Sequence, residues 1–527
     1  MKIYNYLTTI KIILSSAFLI IAFSYSNNLA HSMEIKGTAK EGGVHKRQFE
    51  IYGSEQNADK KRRIEHLSNC DQANFPLSNT EDILFDIFNY LPHIEKINVS
   101  LVCRDWYITT NKGEFLTVAR FAQLGTERAP RSKAVTLSNL AGRFQNLTYL
   151  DISHSDIKDS SGLNLMTNLL NLKLGANATD GAVSCFKNLR CLTVGWDCSI
   201  TDRSLSNLTN LRCLALNSSD LLQENSIRIT DQSLSYLSNL EFLCISQNKN
   251  ITDASIYFLR NLQKLVLYDD KEVITDWSIR ILTNLTALEL YKNTTITDLS
   301  LSCLSNLQCL HLRGQERRTG RYEVGVTNSS ISQLTNLTQL QLRDCHNLTD
   351  DSLGCLTNLK ALELYENTTF TDKSLGYLIN LTALELYENT TFTDQSLGCY
   401  ANLTKLKIKG NNAVTDASFS KLSNLTDLEL SQNSSITDRS FKKLSNLTKL
   451  CLEQSTSITD TSLILLSQLK RLRLVGRGIR TITDSSVSTL NLLSLELSEV
   501  RGVTYESMSR VSGLNIVYYP DKFKDWK

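Results

Sequence analysis

Proline is nearly missing from this chain: there are four in 527 residues, at Pro76, Pro92, Pro130 and Pro520. The stretch from 131 to 519 has none. That excludes a series of ordinary domains joined by proline-marked linkers and asks for one regular architecture instead. An excess of either charge is missing too. Lys and Arg number 56 against 54 Asp and Glu, a net charge of +2, so nothing favours nucleic acid or another polyanion as the main partner. The thirteen cysteines are scattered with no C-x-x-C, which argues against a zinc ribbon or a thioredoxin-like redox site. The seven histidines, at 31, 45, 66, 93, 154, 311 and 346, never fall in an H-E-x-x-H or comparable spacing, and no glycine loop suited to phosphate is present. No catalytic residue, metal site or cofactor is therefore expected. Hydrophobic residues still make up 41% of the chain and charged residues 21%. A wholly disordered chain is excluded as well.

The N-terminus carries an export pattern. Lys2 and Lys11 precede the apolar run Ile12 to Phe23, and Ala30 and Ser32 are placed for cleavage. A basic start, a short apolar run and small residues describe a secretory signal peptide over residues 1–32. The run of twelve residues falls short of the roughly 20 that a spanning helix needs. An uncleaved membrane anchor and a buried helix are the alternatives. Residues 33–74 are polar and of mixed charge; the Lys60-Lys61-Arg62-Arg63 cluster reads as part of a solvated linker.

From residue 146 the phrase N-L-x-x-L-x-L recurs, starting at Asn146, Asn168, Asn188, Asn210, Asn239, Asn261, Asn284, Asn306, Asn336, Asn358, Asn380, Asn402, Asn424 and Asn446, with looser copies at Gln468, Asn491 and Gly513. Eleven of the sixteen spacings are 22 residues, and two long gaps measure 29 and 30. A fixed period in this range is the signature of a solenoid. Within each unit the alternating last leucines suit a short strand with one face inward. Three residues later stands an asparagine that can bond the turn leaving the strand: Asn177, Asn248, Asn293, Asn367, Asn389, Asn411 and Asn433, with Cys345 once in that place. Next comes Thr-Asp, present thirteen times at this place in the repeat. The Asp is expected to cap a helix of about two turns, as in Asp372, with Leu375 and Leu378 turned back toward the strand. Cys191, Cys213, Cys244, Cys303 and Cys309 fall at apolar positions of the repeat and read as reduced packing residues in a cytosolic working environment. The N-x-S/T triplets match a glycosylation pattern but sit on the repeat's own phase, so they carry no glycan meaning here.

This pattern resembles the leucine-rich repeat family, in the variety that follows F-boxes. The resemblance covers residues 146–520 and implies an α/β solenoid with a parallel sheet on the concave face and short helices outside. The segments ALELYENTTFTD at 361–372 and 383–394 are identical, which marks a recent duplication.

Residues 75–115 do not repeat. Ile83, Ile87 and Leu91 recur at i, i+4 and i+8, Pro92 ends that helix, and Ile94, Ile97, Leu101, Val102 and Trp106 follow. So small a piece presents more apolar side chains than it can hide, as a docking module does. It resembles an F-box: Ile83-Leu84, Ile87-Phe88 and Tyr90-Leu91 match the family's first helix, and Ser100 to Trp106 match its S-L-V-C-R-x-W. Asp82 stands where glutamate is usual, and Asn79-Thr80 replace the opening Leu-Pro. Cys103-Arg104-Asp105 also matches the catalytic tripeptide of some bacterial repeat ligases, but the cysteine belongs to the F-box packing phase. Residues 116–145 read as a connecting segment or cap for the array, and 521–527 as a tail.

F-box followed by leucine-rich repeats resembles a substrate receptor of an SCF-type ubiquitin ligase. The resemblance implies docking on a Skp-type adaptor, and through it on cullin and a RING subunit, by Ile83, Leu84, Ile87, Phe88, Leu91, Leu101, Val102 and Trp106. It implies a protein substrate held by the repeats. Strand residues between the inward leucines are the candidates: Tyr268, Glu289, Tyr291, Arg343, Glu363, Tyr365, Glu385, Tyr387, Lys407 and Lys409. The longer loop at 313–326 adds Arg313, Arg317, Arg318 and Arg321, suited to an acidic or phosphorylated patch. An export signal on a ligase receptor is reconciled by a bacterial effector delivered into a host's cytoplasm. The alternatives are a eukaryotic receptor tethered to a membrane by an uncleaved N-terminus, and a secreted repeat protein with no ligase link.

Overall fold

The computed structural model describes residues 118–120, 147–153, 161–175, 178–195, 198–216, 228–268, 273–314, 324–455, 457–476, 479–500, 502–504 and 515–518. The chain divides into two compact units, Met1–Leu172 and Lys173–Lys527.

In the first unit, strand Val118–Arg120 pairs in parallel with Tyr149–Ile152. The segment expected to connect or cap therefore supplies a strand to the first repeat. Leu147, Leu150, Ile152, Leu163, Met166 and Leu169 are fully buried around the 3-10 turn Ser161–Leu165. The strand Asn171–Leu174 crosses the boundary between the units.

The second unit is an open solenoid. From Cys191–Val194 to Asn515–Tyr518, each strand among the described residues pairs in parallel with the next in chain order. One coil shows how its residues dictate this. Strand Ala361–Tyr365 alternates, so Leu362 and Leu364 point into the core. Glu366 then takes a left-handed backbone, φ 55°, which reverses the chain at once. Asn367 is fully buried; its amide donates to Leu342 O at 2.8 Å, and its carbonyl accepts Cys345 N–H at 2.8 Å. Phe370, Leu375, Leu378 and Leu381 complete the inward set. Stacked coils thus bury what one coil cannot bury alone. The asparagine column behaves as expected at 248, 293, 367, 389, 411 and 433, all buried; Asn177 lies outside the described residues.

Two expectations are corrected. The helices hold four residues each, as in Asp372–Leu375, one turn instead of two. The cap is also the threonine, not the aspartate. Thr371 has an extended backbone, and its hydroxyl accepts Lys373 N–H at 3.3 Å. Asp372 is the first helical residue and reaches forward one coil. Its carboxylate accepts from Thr393 N–H at 2.8 Å, Thr393 hydroxyl at 2.6 Å and Ser396 hydroxyl at 2.6 Å. The same bridge to the next threonine recurs from Asp180 to Asp484. Only at Asn328 does an amide stand in for the carboxylate.

The cysteine reading needs a similar refinement. All eleven described cysteines are free. Cys244 is buried, Cys191, Cys213 and Cys309 are half-buried at the start of strands, and Cys303 is exposed beyond a helix turn. Among the described residues no helix is long and apolar enough to cross a membrane.

Candidate functional site

The outer face of the sheet carries the side chains at the first, third and fifth positions of the five-residue strands, because strand residues alternate in direction. Register places Tyr268, Tyr291, Arg313, Arg343, Tyr365, Tyr387 and Lys409 side by side in the fifth-position row. The third-position row runs Glu289, His311, Gln341, Glu363, Glu385 and Lys407. The strand residues expected to hold a substrate therefore lie on one continuous face. Arg313 is corrected: it is the last residue of strand Cys309–Arg313, not part of a loop. Arg317, Arg318 and Arg321 lie outside the described residues.

Strand stacking brings the tyrosines into two pairs. Tyr268 and Tyr291 stack with centroids 4.1 Å apart and planes at 20°; Tyr365 and Tyr387 stack at 4.1 Å and 8°. Stacked aromatic pairs add about 0.5–1.5 kcal/mol beyond area burial. Three of the four phenols are also aimed by a glutamate two residues back on the same strand. Tyr291 donates to Glu289 Oε2 at 3.0 Å, Tyr365 to Glu363 Oε2 at 3.2 Å, and Tyr387 to Glu385 Oε2 at 3.0 Å. Burial, reinforced by the neighbouring carboxylates, pushes the Tyr365 phenol up to about 12 and raises Tyr291 and Tyr387 as well, so all three stay neutral.

Glu289 and Glu385 are not presented to a partner as the sequence suggests. They are only 8% and 4% exposed. Lys264 lies 2.5 Å from Glu289, and His311 lies 3.7 Å away. Lys405 at 2.6 Å and Lys407 at 3.3 Å flank Glu385, and Lys407 reaches Glu429 at 3.7 Å. A carboxylate leaves water only when paired and hydrogen-bonded. These acids hold the tyrosines and the cations; they are positioning groups. Nothing in one repeat foretells this, because the cations come from neighbouring coils.

His311 is a residue that sequence reasoning passed over. Burial works against its charge, but Cys309 Sγ at 3.3 Å and Glu289 hold its pKa up at about 9. In return His311, with Lys264, holds Glu289 down at about 2 against burial. A raised histidine pKa contributes stability that is complete below its unfolded value, near 6.5, and is lost as pH rises through the folded value near 9. Titration of the His311 ring by NMR is expected to show an imidazolium at pH 7 with a midpoint near 9; a midpoint at or below 6.5 would contradict the pairing.

Arg343 and Arg313 occupy the middle of the row. The Arg343 guanidinium lies 3.5 Å from Asp344, 3.9 Å from Glu366 and 5.8 Å from the Tyr365 ring centroid, yet its Nε is buried without a hydrogen bond. Among the described residues, Arg313 and Gln341 have no side-chain hydrogen bond or ion pair. At the other edge of the strands a polar groove of about 1010 Å³ runs beneath Asn210, Asn239, Asn261, Asn284, Asn306, Asn336 and Asn358. Each of these amides is already used, donating to a carbonyl of the coil before it at 2.8–3.1 Å. That groove is a seam of the stack. Among the described residues no group of three or more His, Cys, Asp or Glu is placed to hold a metal.

The F-box domain family model matches residues 76–117. Ile83, Leu84, Ile87, Phe88, Leu91, Leu101, Val102 and Trp106 all fall within that match and outside the described residues. No curated protein matches the chain. A leucine-rich-repeat protein of Leptospira interrogans is 23% identical over 68% of this chain and 97% of its own, with a TM-score of 0.41. An internalin from Listeria monocytogenes is 20% identical over 76% and 95%, with a TM-score of 0.35. The functional domain of InlJ from Listeria monocytogenes is 20% identical over 68% and 74%, with a TM-score of 0.40. The repeat fold itself rests on the strand, turn and helix geometry given above.

Proposed function

We propose that this chain, an F-box segment joined to a leucine-rich-repeat solenoid, is a non-catalytic substrate receptor of an SCF-type ubiquitin ligase. The observation that carries the reading is the F-box match at 76–117, immediately before the array. The F-box docks on a Skp-type adaptor, which leads to cullin and the RING subunit. The sheet face holds a protein substrate through Tyr268, Tyr291, Arg313, Arg343, Tyr365, Tyr387 and Lys409. Tyrosine and arginine are the side chains that most often anchor interfaces, and here they are pre-stacked, so little ordering entropy is lost on binding. The export pattern at residues 1–32 supports a secreted bacterial effector that works in a host cell's cytoplasm. A secreted or membrane-tethered binder without a ligase link is the second reading, favoured only by that same N-terminal pattern.

The test is capture coupled to ubiquitin transfer in an extract that contains the ligase subunits. Wild-type protein is expected to capture a defined set of proteins and drive their ubiquitination. The Ile87→Asp, Trp106→Ala double variant is expected to capture the same set without ubiquitination, since a charge on the docking stripe and a lost indole remove adaptor binding. Equal ubiquitination by both would sink the receptor reading.

A further inference from the structure

We propose that Cys191 and Cys213 form a redox modification site, a dithiol that closes to a disulfide under a peroxide-class oxidant and reopens under a small-molecule thiol. The site lies on the first two strands wholly inside the second unit, and it is independent of the receptor reading.

Register brings the two sulfurs together. Strand Cys191–Val194 pairs in parallel with Cys213–Leu216, and Cys191 stands directly opposite Cys213. Leu192 and Leu214 point into the core, so the cysteines before them turn to the outer face, where both are half-buried. Neighbouring strands lie about 4.8 Å apart, inside the roughly 4.4–6.8 Å between α-carbons that a disulfide spans. Side chains on this face close up further: tyrosine rings of adjoining strands stand 4.1 Å apart. Among the described strands no other register pair sets cysteine against cysteine. Cys244 faces Ala215 and Val266, Cys309 faces Ala287 and Gln339, and Cys451 faces Glu429 and Arg473.

The pair is also chemically unequal. The Cys191 thiol donates a hydrogen bond to the Cys213 sulfur, which holds Cys213 down to about 7 against burial and pushes Cys191 up. Arg212 adds to the lowering of Cys213, while Glu241, 2.8 Å from Arg212, works against it. Cys213 is therefore the nucleophile and Cys191 the resolving thiol, the arrangement that oxidants select. The Cys213 thiolate attacks a peroxide oxygen: the S–O bond forms and the O–O bond breaks. The hydroxide released takes up the proton that Cys213 had lost, giving water. The Cys191 sulfur then attacks the sulfenic sulfur, and its proton leaves with the departing hydroxide as a second water. Two thiols and one hydrogen peroxide thus give one disulfide and two waters. Two molecules of a small thiol reverse the step by exchange and leave as their own disulfide.

The test uses the purified full chain, reduced and then treated with hydrogen peroxide, with circular dichroism to show that the solenoid stays folded. Trypsin cuts after Arg190 and Arg212, so mass spectrometry reads the link as one joined product of the peptides that begin at Cys191 and Cys213. Cys198 lies in the first of these peptides, so the joined product is expected to persist in a Cys198→Ser variant. Dithiothreitol is expected to separate it. Cys191→Ser is expected to lose the link and to leave a sulfenic acid at Cys213 that dimedone traps. Cys213→Ser is expected to lose both the link and the label. The same treatment in urea is expected to scatter links among the thirteen cysteines, since only the fold selects this pair. The proposal is overturned if the folded chain yields no joined peptide, if its links scatter as they do in urea, or if the link vanishes with Cys198→Ser.

Discussion

Replacing Asp394 with alanine is expected to destabilise the array by about 3 kcal/mol. The carboxylate accepts four hydrogen bonds from the next coil: Thr415 N–H at 2.9 Å, its hydroxyl at 2.5 Å, Ser418 N–H at 3.3 Å and its hydroxyl at 2.7 Å. Bonds to a charged acceptor contribute about 1.5–3 kcal/mol each, net of the bonds to water they replace. Partial exposure lets water replace some of that, so the sum is discounted. The molecule contains its own control. At Asn328 the amide nitrogen donates to Thr349 Oγ1 at 2.7 Å, where an aspartate would accept. Thr349 is accordingly without a side-chain cap bond, unlike Thr371 in the following coil. Asn328→Asp is expected to turn the Thr349 hydroxyl outward as donor, free its lone pair for the Asp351 N–H, and gain about 1 kcal/mol, the worth of one N-cap. Urea unfolding of the three proteins measures both effects. A loss below about 0.5 kcal/mol for Asp394→Ala would mean that the ladder is no better than water.

The same ladder sets a response to acid. Burial tends to raise the pKa of Asp180, Asp298, Asp394, Asp416, Asp438 and Asp460, but the hydroxyl and amide donors of the next coil outweigh it and hold all six below the ordinary 3.8. Glu289 is lowered further, from 4.5 to about 2. A depressed carboxylate contributes stability that is present above its unfolded pKa and lost as pH falls through its folded one. The array is therefore expected to hold its unfolding midpoint from pH 7 down to about 5, then to lose it steeply below pH 4 as several coils titrate together. Replacing one rung with alanine should shallow the acid limb in proportion. A midpoint that stays flat to pH 2.5 would contradict the ladder.

Much of this architecture is legible in one repeat, and the reason is periodicity. Leucines two apart within a strand and the asparagine three residues on report their own coil, so strand, turn and core positions are readable directly. Neighbours across coils are readable where the offset from the N-L anchor is equal: Arg313 and Arg343 each stand seven residues after their anchors, Asn306 and Asn336, despite the long insertion between them. What escapes is whatever two coils decide jointly. Thr and Asp are both good caps, and only stacking shows that threonine caps while aspartate reaches forward. The burial of Glu385 depends on Lys405 and Lys407 from the next strand. The left-handed position that follows many of the strands is filled by Gln247, Lys292, Asp344, Glu366, Glu388, Gln432, Gln454 and Glu499, of which only Asp344 is a residue type that favours a turn. Gly410 and Gly476, at φ 68° and 114° in the same phase, were the available clue.

The receptor reading stands or falls on whether residues 76–117 grip an adaptor. Purified residues 33–527 should be titrated with a purified Skp-type adaptor by calorimetry, beside the Ile87→Asp, Trp106→Ala variant, with circular dichroism to show that both arrays are folded. The account predicts one-to-one binding by the wild type, lost in the variant. Absence of binding by the folded wild type, or equal binding by the variant, would contradict it and leave a solenoid whose sheet face holds partners with no route to ubiquitin.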